Sequence, residues 1–258
     1  MFTVEWRDSV RDRILVMADD DERVTAGAVV GSLAIGGGDR WSDLDLTFAV
    51  ADAFAVADVL DSWTQTLAAE LGATSLVDLD SGPTRYRVFL LAGALQLDLS
   101  MTPATQFRPA RPRFRLLFGE IAAAGAPSAT KAAPRPLFIP TPGAPRELFG
   151  WGVVYALHGR ACIERGRVWQ AEHYVGAARD HALSMACIRE GVAVAEARGY
   201  DDLATRTLDR LAGSHVGAAE PEALRAALAA SVRALIEEGV EARLDNAAVV
   251  AERLAELT

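Results

Sequence analysis

Two aspartates separated by a single residue, Asp43 and Asp45, are the side chains whose type and spacing most directly indicate chemistry in this sequence. In a strand, residues i and i+2 point to the same face, so the two carboxylates would lie side by side and repel each other. A divalent cation relieves that repulsion, and oxygen ligands on a stiff strand suit Mg²⁺, whose remaining positions water and phosphate oxygens can fill. The Asp-x-Asp pair therefore predicts a magnesium site.

A Gly-Ser pair, Gly31 and Ser32, precedes these aspartates by ten intervening residues. Apolar runs at 26–30 and 44–50 predict one strand before the pair and a second strand that carries the aspartates. Gly31 permits a tight turn with close backbone approach, and Ser32 adds a hydroxyl beside free N–H groups that can receive a phosphate. Ser42, directly before the first aspartate, is a further candidate for cofactor binding.

This order of strand, Gly-Ser, Asp-x-Asp and strand resembles the nucleotidyltransferase superfamily of the DNA polymerase β type, whose signature has this spacing. That family carries a third carboxylate on a neighbouring strand, and Asp98 within 95–99 is the matching candidate. Leucines alternate with it there, so Asp98 would project from the face opposite the leucines. Pairing of this strand with the Asp45 strand would bring three carboxylates together. The alternative is an exposed strand aspartate.

The resemblance implies a role for each of these residues. Asp43, Asp45 and Asp98 would be catalytic and metal-binding, with Mg²⁺ as the metal. Gly31 and Ser32 would hold the β and γ phosphates of a nucleoside triphosphate, ATP in the first place, that serves as co-substrate.

The remaining sequence predicts an α+β chain in three parts. We expect an N-terminal nucleotidyltransferase domain, a mixed β-sheet with flanking helices, over residues 1–102. A proline- and arginine-rich connecting segment covers 103–146, the one net basic part of the chain and the part that holds most of its prolines. Helical periodicity then predicts a C-terminal α-helical bundle domain over 147–258. Its expected helices are Leu148–Ile163, Val168–Ala197, Asp201–Leu211, Pro221–Glu238 and Val240–Leu257.

Glu172 is a fourth candidate catalytic residue. The two-part layout resembles the antibiotic nucleotidyltransferases that act on aminoglycosides or lincosamides, in which a helical bundle follows the catalytic domain. A carboxylate in that family accepts the proton of the acceptor hydroxyl. Glu172, in a helical segment of high polar density, would take that role if the bundle supplies it, and Asp98 is the other candidate. An ion pair between Glu172 and a neighbouring arginine is the alternative reading.

Net charge and composition limit the classes of molecule that this protein is expected to bind and the compartment in which it is expected to work. The formal net charge of −9 argues against broad nucleic-acid binding and is compatible with a cationic small molecule. Cys162 and Cys187 match no metal-ligand spacing and indicate a reduced compartment. Without a charged-then-apolar leader or an apolar run of about 18 residues, we expect a soluble, cytoplasmic protein with no membrane partner.

These features favour a Mg²⁺-dependent nucleotidyltransferase that moves a nucleoside monophosphate from a nucleoside triphosphate to a hydroxyl of a small molecule, such as an aminoglycoside-like antibiotic. Two alternatives stay open. A toxin-like or regulatory nucleotidyltransferase would modify tRNA or protein, and a non-catalytic binding module would keep the fold alone. The sequence leaves open the acceptor, the choice of nucleotide and the oligomeric state.

Overall fold

Short apolar runs with alternating polar residues form a six-stranded mixed sheet in the first of two units. The computed structural model describes residues 1–109, 113–122 and 144–257, and the two units are Met1–Pro136 and Leu137–Thr258. The strands are β1 (Val24–Val30), β2 (Leu44–Val50), β3 (Thr74–Ser81), β4 (Thr84–Leu91), β5 (Leu95–Pro103) and β6 (Phe114–Phe118). Their order in the sheet is β3-β4-β5-β2-β1-β6. β2 and β5 are parallel, and the other neighbouring pairs are antiparallel.

Two helices, α1 (Val4–Asp19) and α2 (Val56–Leu71), pack with one face of this sheet. The buried side chains of β2 that join this core are Leu44, Leu46, Phe48 and Val50. The Phe48 ring lies 5.0 Å from the Trp63 ring of α2, measured between centroids. Because side chains alternate along a strand, the intervening residues of β2, including Asp45, lie on the opposite face of the sheet.

The middle of the chain supplies the sixth strand. β6 forms within the segment 103–146, which we expected to be a connection, and pairs antiparallel to β1. Gly119 directly after it has a φ of +75°, and a Cβ at this position would lie 2.2 Å from the Thr25 carbonyl oxygen. The close approach of the two backbones thus requires glycine here. Most of the proline-rich linker that we expected before the helical part lies outside the described residues.

The second unit is helical, as predicted. Its helices are α3 (Ala144–Glu164), α4 (Val168–Glu190), α5 (Thr205–Leu211), α6 (Pro221–Glu241) and α7 (Ala247–Arg253). α4 ends earlier than expected, because Gly191 takes a left-handed conformation and caps the helix. The expected helix Val240–Leu257 is wrong as a single element, because Arg243 has a φ of +55° between α6 and α7. Thus the chain is α+β, with the mixed sheet in its first unit and helices in its second.

The three long helices α3, α4 and α6 pack against one another through apolar residues and close glycine contacts. A Cβ on Gly239 of α6 would lie 2.5 Å from the Phe149 ring of α3. An ion pair also joins α4 to α6, since the Arg189 guanidinium donates hydrogen bonds of 2.8 Å to both carboxylate oxygens of buried Glu238. Within the described residues, none of the helices combines the length and the apolar composition needed to cross a lipid bilayer.

Candidate metal and nucleotide site

Three carboxylates converge on the face of the sheet opposite α1 and α2. Asp43, Asp45 and Asp98 each offer an oxygen, and these oxygens all lie within 4.8 Å of one another. All three side chains are half-buried. Three carboxylates this close cannot all be ionised without strong mutual repulsion, unless a cation lies among them.

The parallel pairing of β2 with β5 explains this convergence. Asp45 and Asp98 are direct partners in the register of the two strands, and Leu44 lies opposite Leu97. Both leucines are fully buried on the other face of the sheet, so a slip of one residue would bury the aspartates instead. The expected pairing of the two strands is therefore confirmed. Asp43 differs from the other two because it lies one residue before β2 begins.

The pKa of the Asp98 carboxyl is raised well above its ordinary value. Burial and the nearby charge of Asp43 raise its pKa from 3.8 to about 7, although a hydrogen bond from Gln96 acts in the opposite direction. The Gln96 side-chain amide donates this bond to Asp98 Oδ1 over 2.9 Å. Gln96 itself is buried, and its Oε1 atom has no hydrogen-bond partner among the described residues. The amide thus orients the carboxylate and leaves an acceptor beside it.

Gly31 packs directly against the Asp45 carboxylate. It follows β1 as the first residue of a 3₁₀ turn, Gly31–Ile35, and has a φ of +71°. A Cβ here would lie 2.2 Å from Asp45 Oδ2, so only glycine lets the carboxylate keep its position. The Gly31 N–H donates a 3.2 Å hydrogen bond to the carbonyl of Arg113, just before β6. The close backbone approach that the sequence predicted is thus made to a carboxylate of the triad.

Replacing Gly31 by alanine is expected to weaken divalent-cation binding about tenfold, because the new methyl group must displace the Asp45 carboxylate. Gly36→Ala is the matched control, since Gly36 has a similar φ of +70° but no atom within 4 Å of the added Cβ. Both variants should lose about 1 kcal/mol of stability through the left-handed backbone. A Mn²⁺ titration and thermal unfolding of both variants separate the two effects. Equal Mn²⁺ affinity in the two variants would contradict the carboxylate contact.

Ser32 and Ser42, the two serines predicted to bind the cofactor, have different surroundings. The Ser32 side chain is half-buried, and its hydroxyl has no hydrogen-bond partner within the described ranges. Ser42 is buried and closes a turn, since its hydroxyl donates to the Asp39 carboxylate and accepts from the Asp39 N–H, both over 3.0 Å. The Ser32 hydroxyl is therefore available and that of Ser42 is occupied, and the cofactor-binding role of both serines stays a prediction.

Glu172 lies in the helical unit, exposed to solvent near the start of α4. It makes no hydrogen bond or ion pair with any other described residue, so the alternative reading as an arginine partner finds no support. Arg179 on the same helix pairs instead with Asp180, at 2.9 Å. Glu172 is thus an available carboxylate, and its catalytic role stays a prediction.

Sequence reasoning gave no role to two residues that support the triad. Gln96 holds Asp98, and its i, i+2 spacing from that aspartate already placed both on one face of the strand. Arg7 of α1 is 5% exposed and donates hydrogen bonds to the loop that leads into Asp43. The sequence feature that could have identified Arg7 is its position in line with the apolar residues of α1, where a charged side chain is unusual.

The residues present fit a magnesium ion. The donor set is three carboxylates, the hard oxygen ligands that Mg²⁺ takes in proteins. Asp98 is held by a second residue, as metal ligands commonly are. Burial and the charge of Asp43 raise the pKa of Asp98, and a bound cation would favour the ionised form of this carboxyl.

Comparisons with known proteins found a likeness among solved structures. No protein-family model matches the chain, and neither does any curated protein. Among solved structures, it is similar to the crystal structure of an aminoglycoside 6-adenyltransferase from Bacillus subtilis, with a TM-score of 0.34 and 14% sequence identity. That likeness covers 95% of this chain and 90% of the other. A TM-score this low carries no functional argument.

Proposed function

We propose that this chain is a Mg²⁺-dependent nucleotidyltransferase, which moves a nucleoside monophosphate from a nucleoside triphosphate to a hydroxyl of a small molecule. The observation that carries the proposal is the convergence of Asp43, Asp45 and Asp98 within 4.8 Å, beside a glycine that packs on one of them. These residues come from separate parts of the sequence, and two neighbouring strands hold Asp45 and Asp98 in register. A solvated strand face needs neither the convergence nor the glycine.

Each residue of the site has a distinct task in this reaction. Asp43, Asp45 and Asp98 would hold the metal, which when bound neutralises the triphosphate and lowers the pKa of the acceptor hydroxyl. Gly31 and the Ser32 hydroxyl would receive the β and γ phosphates at the turn after β1. The acceptor oxygen then bonds to the α-phosphorus, the bond to the bridging α–β oxygen breaks, and pyrophosphate leaves.

The proton of the acceptor hydroxyl must pass to a base. Asp98 is a candidate only if it takes the proton instead of binding the metal, because a bound cation lowers the basicity of a coordinated carboxylate, and exposed Glu172 of α4 is the second candidate. Glu172→Gln tests the second: if Glu172 is the base, kcat falls while Mn²⁺ affinity stays at the wild-type value. An unchanged kcat would exclude Glu172 as the base.

We propose a cationic acceptor, such as an aminoglycoside-like antibiotic. The net charge of −9 would attract a polycation and raise its encounter rate at low ionic strength. The same charge disfavours tRNA, whose phosphates need a basic surface. ATP is the first nucleotide to test.

The deciding experiment measures pyrophosphate released from Mg²⁺ and each nucleoside triphosphate in the presence of a panel of hydroxyl acceptors, including aminoglycosides and lincosamides. Release that depends on both the acceptor and Asp45 supports the proposal. Release no greater than that of Asp45→Asn with every acceptor, RNA and protein included, would leave only a binding module. A label transferred from the α-phosphate to RNA or protein would instead favour the toxin-like or regulatory alternative.

A further inference from the structure

Arg7 occupies an unusual position on α1. The buried stripe of this helix is Arg7, Val10, Ile14, Met17 and Ala18, so the arginine takes the first place in an otherwise apolar row. Its residue exposure is 5%. A guanidinium removed from water in this way loses hydration energy, and here the Asp8 carboxylate, 3.6 Å from Arg7 Nε, and two backbone carbonyls compensate it. The two carbonyls are the contacts that Arg7 makes outside its own helix.

Those contacts hold the loop between the Gly-Ser turn and β2. Arg7 Nη1 donates hydrogen bonds to the Asp39 carbonyl over 2.7 Å and to the Ser42 carbonyl over 3.2 Å. The loop is also closed on itself, because the Asp39 carboxylate accepts from the Trp41 N–H at 2.9 Å and from the Ser42 hydroxyl at 3.0 Å. Arg7 thus fastens a preformed turn to the first helix.

The Ser42 carbonyl and the Asp43 N–H belong to the same planar peptide group. Asp45 and Asp98 are fixed by the ladder of two paired strands, whereas Asp43 lies one residue before β2. A hydrogen bond to the Ser42 carbonyl therefore fixes the peptide plane from which the Asp43 side chain departs. Arg7 thus constrains the backbone next to Asp43, which the hydrogen bonds between β2 and β5 do not hold.

We infer that Arg7 is a positioning residue for Asp43, which it holds in the orientation that completes the metal-binding triad. The inference rests on the proposed function, because it requires a cation at the three carboxylates. Arg7 touches neither cation nor substrate in this assignment, and acts through the loop 39–42. Its effect should appear as a loss of metal affinity.

The test measures Mn²⁺ binding by electron paramagnetic resonance in wild type, Arg7→Met, Arg7→Lys and Arg11→Met, at a temperature where circular dichroism shows all four to be folded. Arg11 lies on the same helix and pairs with the neighbouring Asp8 and Asp12, so it controls for removal of an α1 arginine. We expect Arg7→Met to bind Mn²⁺ about 10- to 100-fold more weakly, as for other residues that orient metal ligands. Arg7→Lys should bind with intermediate affinity, because an ammonium keeps the charge without the rigid fork. Arg11→Met should match wild type.

The outcomes separate the two proposals. If wild type takes up Mn²⁺ and folded Arg7→Met or Arg7→Lys binds it equally well, the positioning role is overturned and the metal site stands. If wild type takes up no Mn²⁺ in the presence or absence of nucleotide, both proposals fail. If Arg7→Met binds Mn²⁺ more weakly, as expected, its activity should also recover towards wild type at saturating Mg²⁺, which a general loss of structure would not allow.

Discussion

Asp45→Asn is expected to lower kcat at least about 10³-fold and to remove tight divalent-cation binding. Asn is isosteric with Asp but carries no charge, so the substitution removes an anionic ligand from the centre of the triad. Stabilisation by a metal is worth several kcal/mol in the transition state, and each 1.36 kcal/mol corresponds to about tenfold in rate. Asp45 is also the carboxylate on which Gly31 packs, so the neutral isostere preserves the local shape.

The same substitution should leave the metal-free protein at least as stable as wild type, because it relieves repulsion among three carboxylates. Loss of activity without loss of stability is therefore the expected signature, read by pyrophosphate release, Mn²⁺ titration and thermal unfolding in chelator. Asp58→Asn is the control, since Asp58 is exposed on α2 and lies outside the triad. Wild-type activity in Asp45→Asn would exclude catalysis by this triad.

Divalent-cation affinity should fall steeply as the pH drops below 7. The pKa of Asp98 is raised to about 7 by burial and by the Asp43 charge, so a proton occupies this carboxylate over most of the range below neutrality. A metal must displace that proton, and each pH unit below the pKa then costs about tenfold in apparent affinity. Between pH 7 and pH 5, the apparent dissociation constant for Mn²⁺ should rise about 50-fold.

Stability of the metal-free protein should respond to pH in the opposite sense. The carboxyl binds its proton more tightly in the folded state, with a pKa of about 7, than in the unfolded chain, with an ordinary value of 3.8. Its contribution to stability is complete below pH 4 and is lost as the pH rises through 7. In chelator at pH 8, Asp98→Asn should therefore be more stable than wild type by more than about 1 kcal/mol.

Thermal unfolding of wild type and Asp98→Asn from pH 4 to pH 8, with and without Mn²⁺, tests both statements. The two proteins should converge in stability at the acidic end, and their difference should grow towards pH 8 in chelator. Added Mn²⁺ should stabilise wild type at pH 8 and should stabilise Asp98→Asn much less. A difference between the two proteins that does not change with pH would show that Asp98 titrates at its ordinary pKa.

The sequence was sufficient to predict the convergence of the three carboxylates, because strand alternation and spacing determine which side chains share a face. The alternation of Leu95, Leu97 and Leu99 with Asp98 required the aspartate to lie opposite the core, and the register of β2 with β5 then placed it beside Asp45. The positive φ of Gly31 was likewise foreseeable from residue type.

Tertiary contacts that leave no local pattern could not be predicted. The partners of Arg7 could not be predicted, because the two carbonyls that accept from it lie more than thirty residues away in the sequence. The end of α4 was misplaced because Gly191 and Gly199 offer equivalent local stop signals, and the capping hydrogen bonds choose between them. The break at Arg243 carries no glycine or proline that would announce it.

The sixth strand bears on how the first unit can be produced in isolation. A recombinant fragment that stops at residue 102 would lack β6 and would leave the hydrogen-bonding groups along one side of β1 open to another chain, which promotes edge-to-edge association. It would also remove the Arg113 carbonyl that anchors the Gly31 N–H. Extending the fragment beyond Gly119 retains both the edge cover and that anchor, so crystallisation or ligand-screening work on this unit should begin from the longer piece.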